Sequence, residues 1–238
     1  MRGCLFTLLL GAVAIGLFIF IGLPQVAAGA LTSAIGAAGL QADDTTVTVS
    51  SDPPTDLLGL HADRVRIRAT NATFRGYGIG AVDLELRDMA LLDRTAKHVE
   101  GRLTDVTIPN VGGRKVTLDE IAISGGGDSI TATTDIAAAQ AEALVADAIE
   151  RKIGIRPTSV SFSAPDRITV DIGVKVDGTL AVTPGGDLTV TIQGTPLGDV
   201  EITLIHGGED LPINLTGILV TPDGDLRLTG DFALGILG

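Results

Sequence analysis

Apolar and polar residues alternate with a period of two along most of the chain after residue 46. The segments Val65–Ala69, Val82–Leu86 and Ile168–Val176 carry an aliphatic side chain at every second position. Because successive side chains of a strand point to opposite faces, this pattern predicts strands with one aliphatic face and one polar face. Such strands are typical of antiparallel sheets that have one face in water.

Two of the predicted strands change phase part-way along. In 98–108 the apolar positions shift between Leu103 and Val106, and a similar shift occurs within 114–124. A phase change of this kind predicts a β-bulge, which bends and twists a sheet. The sheet or sheets are therefore expected to be strongly curved.

The segment 135–154 has its apolar residues at helical spacing instead. Thr134 or Asp135 is a candidate N-cap, and Gly154 is a candidate C-terminal stop. The apolar stripe of this helix consists of Ala141, Leu144, Val145, Ala148 and Ile149. Runs of strands with one segregated helix predict an α+β fold. We expect strongly curved antiparallel sheet, in one or more sheets, wrapped on one long helix.

The N-terminal segment Cys4–Leu23 contains no charged residue. A helix of about 20 residues crosses the hydrocarbon core of a bilayer, so the segment predicts an N-terminal transmembrane helix acting as a signal-anchor. Arg2 precedes it and no basic residue follows before Arg64, which predicts a cytoplasmic N-terminus and a single pass through the cell membrane. The alternative is a cleaved signal peptide, because the small residues Ala28 and Ala30 are suitable for cleavage. In that case the body of the protein is exported.

Three regions follow from these patterns. Residues 1–24 form the anchor or signal segment, and residues 25–45 form a juxtamembrane helix and junction. Residues 46–238 form the exported α+β domain. Helical spacing of apolar residues places the juxtamembrane helix at Ala27–Leu40, and a second short helix is predicted at Pro53–Leu60.

Composition narrows the classes of function. The formal net charge of −12 argues against a nucleic-acid partner, because phosphate contacts need clustered Lys and Arg. Aromatic residues make up 3% of the chain, and three of the seven lie in the first 20 residues. The interior of the exported domain is therefore built from Val, Ile, Leu and Ala, which weakens a sugar-binding interpretation.

The sequence shows no clear catalytic or metal-binding motif. His61 has Asp63 two positions after it. Otherwise none of His61, His98 and His206 has a second His, Cys or carboxylate at the sequence spacing of metal ligands. No Ser lies in a G-x-S-x-G elbow, and Gly125–Gly127 lacks the Lys of a phosphate loop. We therefore predict no enzyme activity, no cofactor and no metal.

Curved strands with aliphatic inner faces, wrapped on an Ala-rich helix, leave room for an apolar groove. A groove without directional polar groups suits an acyl chain better than a polar substrate. The candidate groove residues are Ala141, Leu144, Val145, Ala148, Ile149, Val170, Ile172 and Val174. Arg64, Arg66 and Arg68 are candidates for contact with lipid headgroups, and the other interpretation is a solvated strand face.

Several segments carry a family resemblance, together with the Ala-rich helix that ends at Gly154: Ala62–Ile67, Leu84–Met89, Leu92–Arg94, Val99–Leu103, Ser161–Ile168 and Gly224–Gly230. With these segments the chain resembles the actinobacterial LmeA family of phospholipid-binding envelope proteins. The resemblance implies a fold similar to the tubular lipid-binding domains, so that 46–238 is a lipid-binding-like domain. It also implies an accessory role in assembly of cell-envelope lipids or lipoglycans.

Two main hypotheses follow. The first is a membrane-anchored envelope protein that binds phospholipid, or a related acyl lipid, in an apolar groove. The alternative is a structural or scaffolding envelope protein with a closed aliphatic core and no ligand. An enzyme acting on envelope glycolipids needs titratable groups that converge, for example around His61, His98 or Asp119–Glu120.

Overall fold

The structure, a computed structural model, describes residues 22–93, 95–127, 129–195, 198–208, 210–211 and 213–231. Its helices are α1 (Leu23–Ala37), a 3-10 helix (Pro54–Gly59) and α2 (Ala138–Ile153). Helices are thus present near all three predicted positions. The predicted membrane segment Cys4–Leu23 lies almost entirely outside the described residues. Within those residues, no helix is both long enough and apolar enough to cross a membrane.

Fourteen strands make up most of the described chain. They are β1 (Leu40–Gln41), β2 (Asp44–Ser50), β3 (His61–Phe74), β4 (Tyr77–Ala90), β5 (Thr95–Val111), β6 (Arg114–Gly126), β7 (Ser129–Ile136), β8 (Ser159–Ser163), β9 (Arg167–Asp171), β10 (Lys175–Val182), β11 (Leu188–Thr195), β12 (Gly198–Ile205), β13 (Asn214–Val220) and β14 (Leu226–Asp231).

The strands form two antiparallel sheets. The large sheet has nine strands in the order β1-β3-β4-β5-β6-β7-β14-β13, and β2 also pairs with β3. The small sheet has five strands in the order β12-β11-β10-β9-β8. The backbone N–H of Val220 on β13 donates to the carbonyl of Pro165 at 2.7 Å, which ties the large sheet to the turn between β8 and β9.

The expectation of a sheet wrapped on one long helix is wrong. Helix α2 has 16 residues and lies against the edge strands β8 and β12 of the small sheet. Its Gln140 side chain exchanges two hydrogen bonds of 3.1 Å with the backbone of Thr117 on β6. The aliphatic faces of the two sheets and the stripe of α2 share one core, so the helix fills one side of a two-sheet interior.

The N-terminus of α2 is capped from a distant part of the chain. The predicted caps Thr134 and Asp135 both lie within β7. The N-cap residue, Ala137, offers no side-chain hydrogen bond. Instead the Asp225 carboxylate accepts a hydrogen bond of 2.8 Å from the Ala138 N–H. Asp225 closes the turn before β14, so this turn and the start of α2 are held together.

The predicted phase changes are present, but no bulge accompanies them. Leu103 pairs with Ile121 and Val106 pairs with Leu118, so the register of β5 and β6 is unbroken across the change. Both strands switch their inward residues at the same place. The prediction of a bulge there was wrong because a phase change shared by neighbouring strands needs no extra residue.

An unusual backbone conformation marks this switch in β5 and in β3. Asp105 has φ +52° and Asn71 has φ +48°, the left-handed region that Asn and Asp tolerate best. Gly80 of β4 lies opposite Asp105, and a Cβ at Gly80 would stand 2.8 Å from the Asp105 Cβ. A second phase change occurs nearer the start of β3. At the paired position of β4, Asp88 has φ +51°. Strands β3 to β5 thus change phase twice.

The inner face of the large sheet contributes side chains to two hydrophobic cores. The main core lies between the two sheets and includes the stripe of α2. The second core lies at the other end of β3, β4 and β5, under α1 and the 3-10 helix. Its buried members are Val49, Leu57, Ala62, Val65, Met89 and Ala96.

We predict that Asp225→Ala lowers the free energy of unfolding by about 1 kcal/mol, because it removes the carboxylate cap of α2. Urea unfolding followed by circular dichroism measures this change. Asp223→Ala in the same turn is the matched control, since Asp223 is exposed, and it should have little effect. Equal losses for the two variants would contradict the capping role.

Candidate functional site

Between the two cores, the inner face of the large sheet carries aliphatic side chains that are only half-buried. We call this set the central strip: Val47, Ile67, Leu84, Leu86, Val99, Leu103 and Ile130. Register places them on one face, because Val47 pairs with Ile67 and Ile67 pairs with Leu84. Leu86 likewise pairs with Val99 in the adjacent row. The members of the strip come from β2, β3, β4, β5 and β7, and one of them, Val99, packs against both cores.

A glycine contributes to the shape of the central strip. Gly101 of β5 lies beside Leu84, and a Cβ at this position would stand 2.7 Å from the Leu84 Cδ2. The Leu84 side chain therefore lies over the glycine. The surface between the cores is thus built from aliphatic groups and glycine backbone, a composition that offers van der Waals contact and few directional hydrogen bonds.

Helix α1 borders the strip at the second core. Its side chains Leu23, Ala27, Ala28 and Leu31 pack on that core, yet no residue of the helix is fully buried. The helix contains no charged residue. An apolar and incompletely buried helix therefore adjoins one end of the strip.

The predicted headgroup residues lie on the opposite face of β3. Arg66 holds Asp83 by two hydrogen bonds of 3.0 and 2.8 Å, and Arg68 lies 3.6 Å from the same carboxylate. Arg64 lies 3.3 Å from Glu85. The hydrogen bond from Arg66 holds the pKa of Asp83 below its ordinary value. These arginines form a paired network on the outer face, and the sheet separates them from the central strip.

Most of the predicted groove residues lie inside the main core. Six of the eight are buried: Ala141, Leu144, Val145, Ala148, Ile149 and Val170. Ile172 is half-buried, and Val174, in the turn between β9 and β10, is 69% exposed. The structure brings the six buried residues together in the main core, and two of them, Leu144 and Ala148, also line cavities beside α2.

Sequence reasoning missed the half-buried members of the central strip as site residues. Val47, Leu84 and Leu103 follow the same alternation as fully buried strand residues, so their pattern carries no separate signal. It also missed Asp88, whose carboxylate lies with His61 and Asp63 so that one ligand atom of each falls within 4.8 Å of the others. The pairing of β3 with β4 brings these three side chains together.

A cleft of about 530 Å³ lies at the end of β5 away from the second core. It is bounded by the last turns of α2, the hairpin between β5 and β6, and β12. Ala148, Ile202 and Leu204 line it with apolar groups, and Arg151 and Lys152 add positive charge. A smaller cavity of about 210 Å³ lies nearer the start of α2.

A family model of LmeA-like phospholipid-binding proteins matches residues 21–231. The chain belongs to the LmeA-like phospholipid-binding family. The match includes α1, both sheets and α2, so the whole described fold is the family's unit. Phospholipid binding is the function that this family suggests. No curated protein and no solved structure matches the chain.

The paired outer face generates a prediction about pH. The pKa of Asp83 is lowered in the folded protein, so its stabilising effect is present above the ordinary carboxyl pKa and is lost as pH falls through the lowered value. We expect the free energy of unfolding to fall as pH drops below about 4. Arg66→Gln should make this fall smaller, because Asp83 then loses its main partner.

Urea unfolding between neutral and acidic pH measures the effect. Lys175→Gln is the control for loss of one positive charge, and it should keep the wild-type pH dependence. An unchanged pH dependence in Arg66→Gln would contradict the role given to the Arg66–Asp83 pair.

Proposed function

We propose that this protein binds the acyl chains of phospholipid, or of a related acyl lipid, along the central strip. The observation that carries the proposal is a set of half-buried aliphatic side chains from β2, β3, β4, β5 and β7, which lie between two buried cores on one face of the large sheet. Membership of a phospholipid-binding family supports the same ligand class. We further propose an accessory role in assembly of cell-envelope lipids or lipoglycans.

The physical chemistry of the strip favours a chain over a headgroup. Removing apolar surface from water yields about 25 cal/mol per Å², or about 0.8 kcal/mol for each buried CH₂ group. Ile67, Leu84 and Leu103 offer such surface and no hydrogen-bonding side chain. An acyl chain laid along the strip would join the two cores into one apolar surface.

We propose that the body acts on the extracytoplasmic side of the cell membrane. The apolar segment Cys4–Leu23 would hold it there, or would direct its export and then be cleaved. The segment runs directly into α1, which packs on the second core beside the strip. A segment held in the bilayer would thus place this end of the strip close to the membrane surface.

The main core supports a second candidate function. Because six of the eight predicted groove residues are buried there, a structural or scaffolding role with a closed interior and no ligand also fits that part of the molecule. The two functions differ in one measurable property, which is uptake of lipid by the purified protein.

We predict that the purified chain takes up a fluorescent phosphatidylcholine from vesicles. Leu84→Gln should weaken uptake on the order of fivefold, since loss of about 1 kcal/mol of apolar contact has that effect. Ala122→Gln is the matched control, because Ala122 is exposed and its side chain points to the outer face. The melting temperature of each variant shows whether folding is preserved.

Two results would contradict the proposal. Wild-type protein that takes up no lipid would favour the scaffolding function. A folded Leu84→Gln variant with wild-type uptake would show that lipid lies elsewhere than on the central strip.

A further inference from the structure

The basic cleft at the end of α2 is chemically distinct from the central strip. Its walls come from α2, β12 and the hairpin between β5 and β6, and its volume is about 530 Å³. Ala148, Ile202 and Leu204 are buried side chains at its apolar part. The second core begins at Ala96, so the cleft lies near the far end of β5.

Two cations in this cleft, Arg151 and Lys152, form no salt bridge among the described residues. The hydrogen bond from Arg114 lowers the pKa of Asp147, and the charge of Arg151 one turn later helps to lower it. The Nε of Arg151 donates to the carbonyl of Asp147 at 3.2 Å, which leaves its terminal nitrogens for other contacts. The helix carboxylates Asp147 and Glu150 are engaged by Arg114 and Arg156. Within the described part of the chain, Arg151 and Lys152 are therefore left available for an anionic ligand, in a protein whose net charge is −12.

The hairpin is shaped to accept the guanidinium group of Arg151. Gly112 and Gly113 have φ of +56° and +89°, which L side chains rarely adopt. A Cβ at Gly112 would stand 3.1 Å from the Arg151 Nη2, so a side chain there would crowd the guanidinium. Asn110 fixes the turn, because its Oδ1 accepts a hydrogen bond of 3.0 Å from the Gly113 N–H.

Asp210 is the one carboxylate among the described residues that line the cleft, and it is already held by hydrogen bonds. The Asp210 carboxylate accepts a hydrogen bond of 2.8 Å from the backbone N–H of His206. The backbone N–H of Asp210 donates in turn to the carbonyl of His206 at 2.9 Å. His206 Nδ1 lies 3.7 Å from Asp187. Arg151 and Lys152 thus outnumber the carboxylates that the described residues place in the lining of the cleft.

We propose that this cleft binds a phosphate ester with an apolar substituent. The phosphate would lie against Arg151 and Lys152, because a guanidinium offers paired donors to phosphate oxygens and an ammonium adds a point charge. The apolar part would lie on Ala148, Ile202 and Leu204. A phospholipid headgroup and a soluble phosphate ester share this chemistry, and the headgroup assignment rests on the proposed lipid function.

If the two cations had only a structural role, their replacement would affect stability and not binding. Basic residues in the last turn of a helix stabilise it through the helix dipole, so their loss would lower stability without any effect on ligand binding. That role does not explain the apolar wall or the glycine hairpin. Binding and stability must therefore be measured on the same variants.

The experiment uses the full chain and the double variant Arg151→Gln/Lys152→Gln. The control is Arg167→Gln/Lys175→Gln, which removes the same charge from β9 and β10. Calorimetry with glycerol phosphate tests the soluble source. Sedimentation with vesicles of phosphatidylcholine, alone or mixed with phosphatidylglycerol, tests the headgroup source.

We expect the Arg151→Gln/Lys152→Gln variant to bind at least one anionic probe about tenfold or more weakly than the wild type does. The control variant should bind the same probe with wild-type affinity. Binding of glycerol phosphate identifies a soluble ester, and binding only to anionic vesicles identifies a headgroup. Binding that is equal in variant and control, or absent for every probe in the wild type, overturns the proposal.

Uptake of fluorescent phosphatidylcholine separates this proposal from the proposed function. The cleft variant should keep wild-type uptake, whereas Leu84→Gln should weaken uptake about fivefold and keep binding of the anionic probe. Loss of both activities in the cleft variant at an unchanged melting temperature would place lipid and phosphate in one site, and would overturn the assignment of two.

Discussion

The inner face of the large sheet is longer than any single element that covers it. Strand β5 has 17 residues, which corresponds to about 56 Å of extended chain. Strands of the small sheet have at most eight residues, about 26 Å, and α2 lies beside them. The far end of the large sheet therefore needs a second cover, which α1 and the 3-10 helix provide. The central strip is the surface that neither cover fully buries.

The two ends of the molecule are chemically different as a consequence. At the end of the second core, an uncharged helix lies on aliphatic side chains. At the other end, Arg151 and Lys152 border a cleft with an apolar wall. The arginines of the outer face of β3 are paired with carboxylates, whereas Arg151 and Lys152 form no salt bridge within the described residues. This separation suits a protein that handles an amphipathic ligand class.

Local features of the fold could be predicted from the sequence, and contacts between elements could not. Alternation identified strands such as Val65–Ala69, and helical spacing identified α2 to within three residues at its start. Alternation reports which residues face inward, but Leu84 and Val82 follow one pattern although only Val82 is fully buried. The cap of α2 comes from Asp225, which is 87 residues from Ala138. Such contacts depend on which surfaces meet, and the packing of two sheets against each other replaced the expected sheet around a helix.

The most direct measurement is photo-crosslinking with a phospholipid that carries a diazirine in its acyl chain, followed by mass spectrometry of the modified peptides. We expect adducts within 65–69, 82–86 and 99–103, the middle segments of β3, β4 and β5. Adducts confined to 141–149 and 168–174 would show that lipid enters the main core. That result, or the absence of adducts from the described strands, would contradict the central strip as the lipid site.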